Sequence, residues 1–370
     1  MATIRDVAKS AGVSIATVSR VVNNTSKVGG DVRERVLEAV NRCGYVANVG
    51  RRPTSFIALA YTGPSSLGSP YDAALFEGMS DAMGETDYDL VVLNLQRDKA
   101  ASESFSQFFF RKGVRGVILR TTSRTRSICQ RIADEGFPVV VVGDRFEGRP
   151  IGCVGGESRT TSHQAVEHLL GLGHRRIAIA MNAVRDSDHL DRFEGYRQAL
   201  ADYGIELDQR LVFRLPASRP DGSQVIRKMM SMPDPPTAVF ITDPAVAVGA
   251  INQSHRMGVR IPEELSVVGF DDTDIRHIVY PTMTAICQDA RQLGYEAFTA
   301  MAQLLEDRNG ATPPQRMFAT WLEIHDTTGR PPTDRIRILP DGSRVVESRS
   351  SDSTIIESEH SMAIEDVVSE

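Results

Sequence analysis

No apolar run in these 370 residues approaches the length that spans a bilayer, so a helical membrane protein is excluded and no membrane partner is expected. Cysteine is scarce. Cys43, Cys129, Cys153 and Cys287 are widely scattered, with no CxxC and no His/Cys cluster, and read as reduced structural thiols. Signatures of catalysis are missing as well: no Walker loop, no nucleophile elbow and no HExxH. The glycines around Cys153-Val154-Gly155-Gly156 lack the spacing of a dinucleotide fingerprint. His163, His168 and His174 lie close in sequence, but the first two are off the i,i+4 spacing for joint ligation on a helix. No enzyme, no cofactor and no metal site is expected. Because Met1 leads straight into a periodic helix, no signal peptide is expected either, and the protein reads as cytoplasmic.

What is present is a globular composition, 41% hydrophobic and 24% charged, with room for two or three domains. The net charge of −6 hides an asymmetry. Through Pro53 there are nine Lys and Arg against four Asp and Glu, a balance of +5, which leaves −11 for the rest. A small basic head on an acidic body suits a head that meets phosphate while the body avoids it.

Within that head, Ile4, Val7, Ala8 and Ala11 fall at the spacing of one helical face, and Gly12-Val13 breaks the run. Ser14 is a good N-cap for a second helix whose inner face would carry Ile15, Val18, Val21 and Val22. Two short helices about a glycine turn make a helix-turn-helix, whose second helix can enter a major groove. Its outer face carries Ala16, Thr17, Ser19, Arg20 and Asn23, small or hydrogen-bonding residues suited to base edges and phosphates. Periodicity alone also permits an ordinary helical hairpin with solvated polar residues. A third helix is expected from about Asp31 to Arg42, with Val32, Val36, Leu37 and Val40 inward and Gly44 as its C-cap.

The wording Ile4-Arg5-Asp6-Val7-Ala8-Lys9, Ala11-Gly12-Val13-Ser14 and Ala16-Thr17-Val18-Ser19-Arg20-Val21-Val22-Asn23 resembles the amino-terminal signature of the lactose-repressor (LacI/GalR) family of bacterial transcription regulators. Arg33-Glu34-Arg35-Val36-Leu37 and Gly44-Tyr45 follow at the family's distance. The resemblance covers about residues 2–330. It implies operator contacts from Thr3, Ser14, Ile15, Ala16, Thr17, Ser19, Arg20 and Asn23, and from Asn48 and Arg52 of the hinge. The hinge departs from the pattern: Pro53 follows Arg52, Thr54 stands where Leu is expected, and Gly50 adds roughly 1 kcal/mol of helix penalty. A full hinge helix with a minor-groove wedge is therefore not expected here.

From Phe56 onward the pattern is alternating strand and helix. Strands are expected at Ile57-Tyr61, Leu90-Leu95, Val114-Leu119, Val139-Val142, Ile177-Ala180, Ala238-Ile241 and Leu265-Phe270. Such alternation predicts α/β folding, with parallel sheets flanked by helices and ligands near strand carboxyl ends. The resemblance implies a two-lobed, periplasmic-binding-protein-like core. One lobe would take roughly residues 56–154 plus 288–315, and the other about 156–286 plus a last strand near Trp321-Ile324. The domains are thus an all-α head (1–46), a short linker (47–55), the effector-binding and dimerisation core (56–330) and a tail (331–370). Two β-prone runs about Pro340-Asp341-Gly342 predict a hairpin over 335–347, and the acidic, Ser-rich remainder reads as disordered or as a partner-binding segment.

Several short motifs look like family pocket elements. Arg192 opens Arg-Phe-Glu-Gly-Tyr-Arg-Gln-Ala-Leu, matching a helix whose Arg commonly holds effector oxygens; a surface ion pair is the competing reading. Asp271 sits in Gly269-Phe270-Asp271-Asp272 and could accept two sugar hydroxyls. Tyr71 with Asp72, Arg145, Asp243 and Gln288 complete the candidates. Tyr71 reads equally as a helix-start aromatic, and Arg145 more readily as a strand-end surface residue. An aromatic face with a cation and carboxylates suits a sugar or sugar derivative, with a nucleoside as runner-up. The implied function is a ligand-controlled transcription regulator, most readily a repressor. It would act as a homodimer on a pseudo-palindromic double-stranded operator. Its rivals are a solute-binding protein of the same core fold and an enzyme acting on a small sugar.

Overall fold

The computed structural model describes residues 3–22, 28–43, 45, 56–62, 69–122, 124–183, 186–307, 313–348 and 354–357, the last four by their backbone alone. Asn23, Gly44, Asn48 and Arg52 lie outside these described residues, as do the linker over 47–55 and most of the acidic tail.

Three helices build the head: α1 (Ile4–Ala11), α2 (Ile15–Val22) and α3 (Gly30–Cys43). The amide and hydroxyl of Thr3 both donate to the Asp6 carboxylate (2.7 and 2.8 Å), which holds the first turn of α1. Gly12 then takes a left-handed φ of 64°, which stops the helix and turns the chain into α2. Ser14 Oγ accepts the Thr17 amide (3.0 Å) as the N-cap of α2. The core is Val7, Ala8, Ala11, Val18, Val21, Val36, Ala39 and Val40. Two apolar residues placed inward from sequence are not there: Ile15 is 46% exposed and Leu37 43%. Ile15 opens α2 at the rim of a very small core. On α3 the buried row is 36, 39, 40, and position 37 stands one step of about 100° off it.

The first lobe starts with β1 (Phe56–Tyr61), α4 (Pro70–Met83), β2 (Asp89–Asn94), α5 (Leu95–Asp98), α6 (Phe105–Arg111), β3 (Val114–Arg120), α7 (Arg126–Asp134), β4 (Val139–Val142) and β5 (Gly152–Glu157). The chain then crosses into the second lobe: α8 (Arg159–Gly171), β6 (Ile177–Asn182), α9 (Ser187–Asp202), β7 (Val212–Leu215), α10 (Arg219–Met230), β8 (Ala238–Ile241), α11 (Pro244–Arg256), β9 (Ser266–Asp271) and β10 (Thr284–Cys287). It returns for α12 (Ala290–Glu306) and β11 (Gln315–Ala319), and crosses again into β12 (Trp321–Glu323). The sheets run β11-β5-β4-β3-β1-β2 and β12-β10-β9-β8-β6-β7. All pairings are parallel except β10 with β12. Near-continuous apolar strands such as Val139–Val142 are buried on both faces because helices cover both sides of the sheet.

Glycine sets how closely two of the helices pack. A Cβ at Gly195 of α9 would lie 2.3 Å from the Arg159 carbonyl oxygen of α8, so no larger residue fits without parting the helices. The three crossings fall at Ser158, at Gln288-Asp289 and at Thr320, and place the carboxyl ends of both sheets face to face. Strand β5 has no sequence expectation behind it, since three glycines in Gly152–Glu157 erase the β signal.

The tail forms a third sheet, β13 (Asp334–Ile338), β14 (Arg344–Ser348) and β15 (Thr354–Glu357). Ile336 and Ile338 pack into the core of the second lobe, and Arg344 reaches Glu264 (2.5 Å). Where composition pointed to disorder, β15 adds to the otherwise open edge of β14.

Candidate functional site

Between the lobes lies a cavity of about 210 Å³. Its first-lobe wall is Ser69, Pro70 and Tyr71 at the start of α4, with Arg120 at the end of β3. The second lobe contributes Asn182 after β6, Asp186, Asp188, His189 and Arg192 at the start of α9, Asp243 opening α11, and Asp272 after β9. Gln288 reaches in from the second crossing. Both lobes supply polar groups, so a ligand here would touch whichever arrangement of the lobes it favours.

Each wall residue is held by local structure. Asp186 caps α9 by accepting the His189 amide (3.0 Å) and also meets His189 Nδ1 (2.7 Å). Asp243 caps α11 through the Ala245 and Val246 amides (3.0 and 3.3 Å). The Arg192 guanidinium lies 3.4 Å from the centroid of the Phe270 ring and donates to the Thr242 carbonyl (2.7 Å). Gln288 Nε2 donates to Asp272 Oδ1 (2.5 Å), while its Oε1 faces Gly156, where a Cβ would sit 2.7 Å away. The glycines that hid β5 from sequence reading thus make room for the wall.

Of the residues expected to contact effector, Tyr71, Arg192, Asp243 and Gln288 line the cavity. Asp72, Arg145 and Asp271 do not. Asp72 accepts from Arg120 Nε (3.1 Å) and positions that guanidinium under the Tyr71 ring (4.6 Å). Arg145 follows β4 and pairs with Asp191 of α9 (2.6 Å), fastening one lobe to the other, as does the Ser187 hydroxyl on Asp144 (2.5 Å). Asp271 is fully buried and spent: it accepts the amides of Thr273, Ile275 and Arg276 (3.1, 3.0 and 3.1 Å) and the Arg276 guanidinium (2.9 Å). Its neighbour Asp272 faces the cavity instead.

Sequence reasoning passed over Arg120, Asn182, Asp186, Asp188, His189 and Asp272. Arg120 and Asn182 close strands of parallel sheets, where ligands collect. An acidic pair just ahead of the Arg192 helix was the other legible signal. The three nearby histidines are not brought together, since His163 meets Asp202, His168 meets Thr328 and His174 meets Thr237. A different trio, His277, Glu323 and His325, gathers within 4.8 Å. There Arg276 Nε donates to Glu323 (2.6 Å), and its charge works against a cation at that point.

The wall carboxyls divide. Burial works against the Asp186 charge, but His189 and Arg120 hold its carboxyl below the usual range. Burial and then the Asp186 charge raise Asp188, burial raises Asp243, and burial pushes Asp272 up to about 6 against the opposing pull of Arg192. A carboxyl raised on folding contributes stability that is complete below about 4 and is lost as pH rises through about 6. Asp272→Asn, which keeps the oxygen that accepts from Gln288, should therefore stabilise the ligand-free protein at pH 7 by roughly 1–3 kcal/mol. That advantage should vanish by pH 4, as urea unfolding across the range would read.

On the head, Thr3, Ser14, Ile15, Ala16 and Arg20 are exposed, while Thr17 and Ser19 are half-buried. Thr3 and Ser14 serve as caps, and the Thr17 and Ser14 hydroxyls bond at 2.8 Å. Ile15, Ala16 and Arg20 stand open on one side of α2, the side a major groove would meet.

A helix-turn-helix head on a two-lobed core with a polar inter-lobe cavity defines a DNA-binding regulator with a small-molecule site. Residues 3–48 match the family of bacterial regulatory proteins of the lacI type, and residues 166–328 match the periplasmic binding protein-like domain. The chain is 30% identical over 302 residues to the NTD biosynthesis operon regulator NtdR of Bacillus subtilis, covering 80% of this chain and 91% of that one. Among solved structures, the transcriptional regulator CelR–cellobiose complex matches with a TM-score of 0.65 and 26% identity, covering 88% of this chain and all of that one. The lac repressor dimer bound to operator and an anti-inducer matches with a TM-score of 0.63 and 25% identity, over 89% and 99% of the two chains. The chain belongs to the LacI family: it is a DNA-binding transcriptional regulator with a ligand-binding core, not an enzyme. Among the described residues, no helix is long and apolar enough to cross a membrane.

Proposed function

We propose that this protein is a cytoplasmic, homodimeric repressor of a pseudo-palindromic operator, and that a small sugar or sugar derivative in the inter-lobe cavity sets its operator affinity. The observation that carries the reading is the cavity itself, because its wall is shared between lobes that Arg145–Asp191 and Asp144–Ser187 also fasten. A ligand that prefers one lobe arrangement would shift the placement of two heads related by a two-fold axis. The cellobiose named for one structural relative and the operator-bound dimer named for another support both halves. A nucleoside fits less well, since Arg120 already lies over the Tyr71 ring and about 210 Å³ suits a single ring with its hydroxyls.

The test selects bound duplexes from genomic DNA and measures operator affinity by fluorescence anisotropy with and without sugars. At least one sugar should move the operator Kd by tenfold or more. Arg192→Ala should abolish that response and leave ligand-free DNA binding intact, because the head is a separate domain. Absence of salt-sensitive binding to every selected duplex would end the reading.

A further inference from the structure

The charge on the cavity wall is not balanced by the protein. Arg120 is taken by Asp72 (3.1 Å) and Asp186 by His189 (2.7 Å). That leaves Asp188, Asp243 and Asp272 facing one cavity with Arg192 as the remaining arginine. The Arg192 guanidinium lies on the Phe270 ring and spends one nitrogen on the Thr242 carbonyl, while its Nε has no hydrogen-bond partner among the described residues. Among the described residues, none of these three aspartates is in an ion pair. Asp188 and Gln288 are 4% and 6% exposed, and Asp188 Oδ1 and Gln288 Oε1 have no hydrogen-bond partner. Asp188 is thus a buried carboxyl with no cation paired to it, while Asp243 and Asp272 are part-buried, and a buried acceptor left unpaired is unfavourable.

We infer that the missing cation belongs to the ligand: the effector is a small polyhydroxylated amine, whose ammonium group is received by Asp188, Asp243 and Asp272 and whose hydroxyls meet Arg192, Asn182 and Gln288. A neutral sugar brings no charge to pair with these carboxyls. An ammonium offers three donors, one for each of Asp188, Asp243 and Asp272, and a ligand hydroxyl can then donate to the free Gln288 oxygen. The wall groups that feel it are the four aspartates, Tyr71, Arg120, Arg192 and His189, with Arg145 and Asp191 acting on Asp188 from behind the wall. In the empty cavity burial favours the protonated carboxyls. Entry of the ammonium drives those protons out to the buffer, so binding near pH 6 releases protons.

This inference rests on the cavity being the effector site. Its test is calorimetry on the full-length protein with matched trios: D-glucose, D-glucosamine and N-acetyl-D-glucosamine, then the galactose and mannose series. The expected result is one amino sugar binding at least tenfold more tightly than both its neutral counterparts. Its binding heat should vary with buffer ionisation enthalpy in the sense of proton release. Asp272→Asn should reduce that preference for the amine over its neutral counterparts severalfold, and an unchanged preference would remove Asp272 from the ammonium site. If neutral sugars bind as tightly as the amines, the cation is refuted and the effector site stands. If no member of either set binds, both this inference and the effector-site reading fall.

Discussion

Asp271→Ala should cost the protein about 3 kcal/mol of stability, whereas Asp272→Ala one residue later should leave the unfolding midpoint unchanged or raised and weaken ligand binding. Asp271 is fully buried and holds three backbone amides and a guanidinium, so its removal takes the acceptor from three amides at once and one partner from the guanidinium. Deleting one partner of a buried pair typically costs about 3–5 kcal/mol. The lower end applies because Arg276 keeps Glu323 (2.6 Å) and Asp274 (2.7 Å). Asp272 holds one bond, to Gln288, and pays a burial penalty for its charge. Urea unfolding of the two variants, with ligand titrations beside it, reads the contrast directly. An Asp271→Ala protein of unchanged midpoint that no longer binds effector would make Asp271 a ligand contact after all.

The second large effect is at the DNA surface. Arg20→Ala should weaken binding by about 1–3 kcal/mol, or roughly tenfold to a hundredfold, with no change in thermal stability. Arg20 is exposed on α2 and outside the head's apolar core. If it meets phosphate, the loss will be uniform across sequences and the salt slope will fall by about one. A guanine contact would instead relax preference at one base pair. Ile15 and Ala16, beside it at the start of the helix, should change which operator is preferred when substituted. Anisotropy titrations at three salt concentrations on two unrelated operators separate these outcomes. Unchanged affinity for both duplexes would remove α2 from the interface.

The fold was legible wherever one segment's pattern implied its own burial. Helical spacing with Gly12 and Ser14 located the head, and runs such as Val139–Val142 and Ala238–Ile241 located central strands, because a strand covered on both faces must be apolar throughout. The site was legible only in part. Tyr71, Arg192, Asp243 and Gln288 could be singled out from their motifs, and Arg120 and Asn182 were recoverable from the strand-end rule.

The sequence by itself determined the three-helix head, the α/β character of the body and the basic-to-acidic division between them, since these follow from local periodicity and composition. Tertiary structure alone decided which of two adjacent aspartates faces the ligand. Asp271 ends β9 fully buried, the turn that follows brings the Thr273, Ile275 and Arg276 amides and the Arg276 guanidinium onto its carboxylate, and Asp272 is left to the cavity. It also decided that Arg145 fastens the lobes and that the glycines of β5 make room for Asp188 and Gln288. Those roles depend on groups 33 to 132 residues apart meeting across two sheets, and no window of sequence carries that distance.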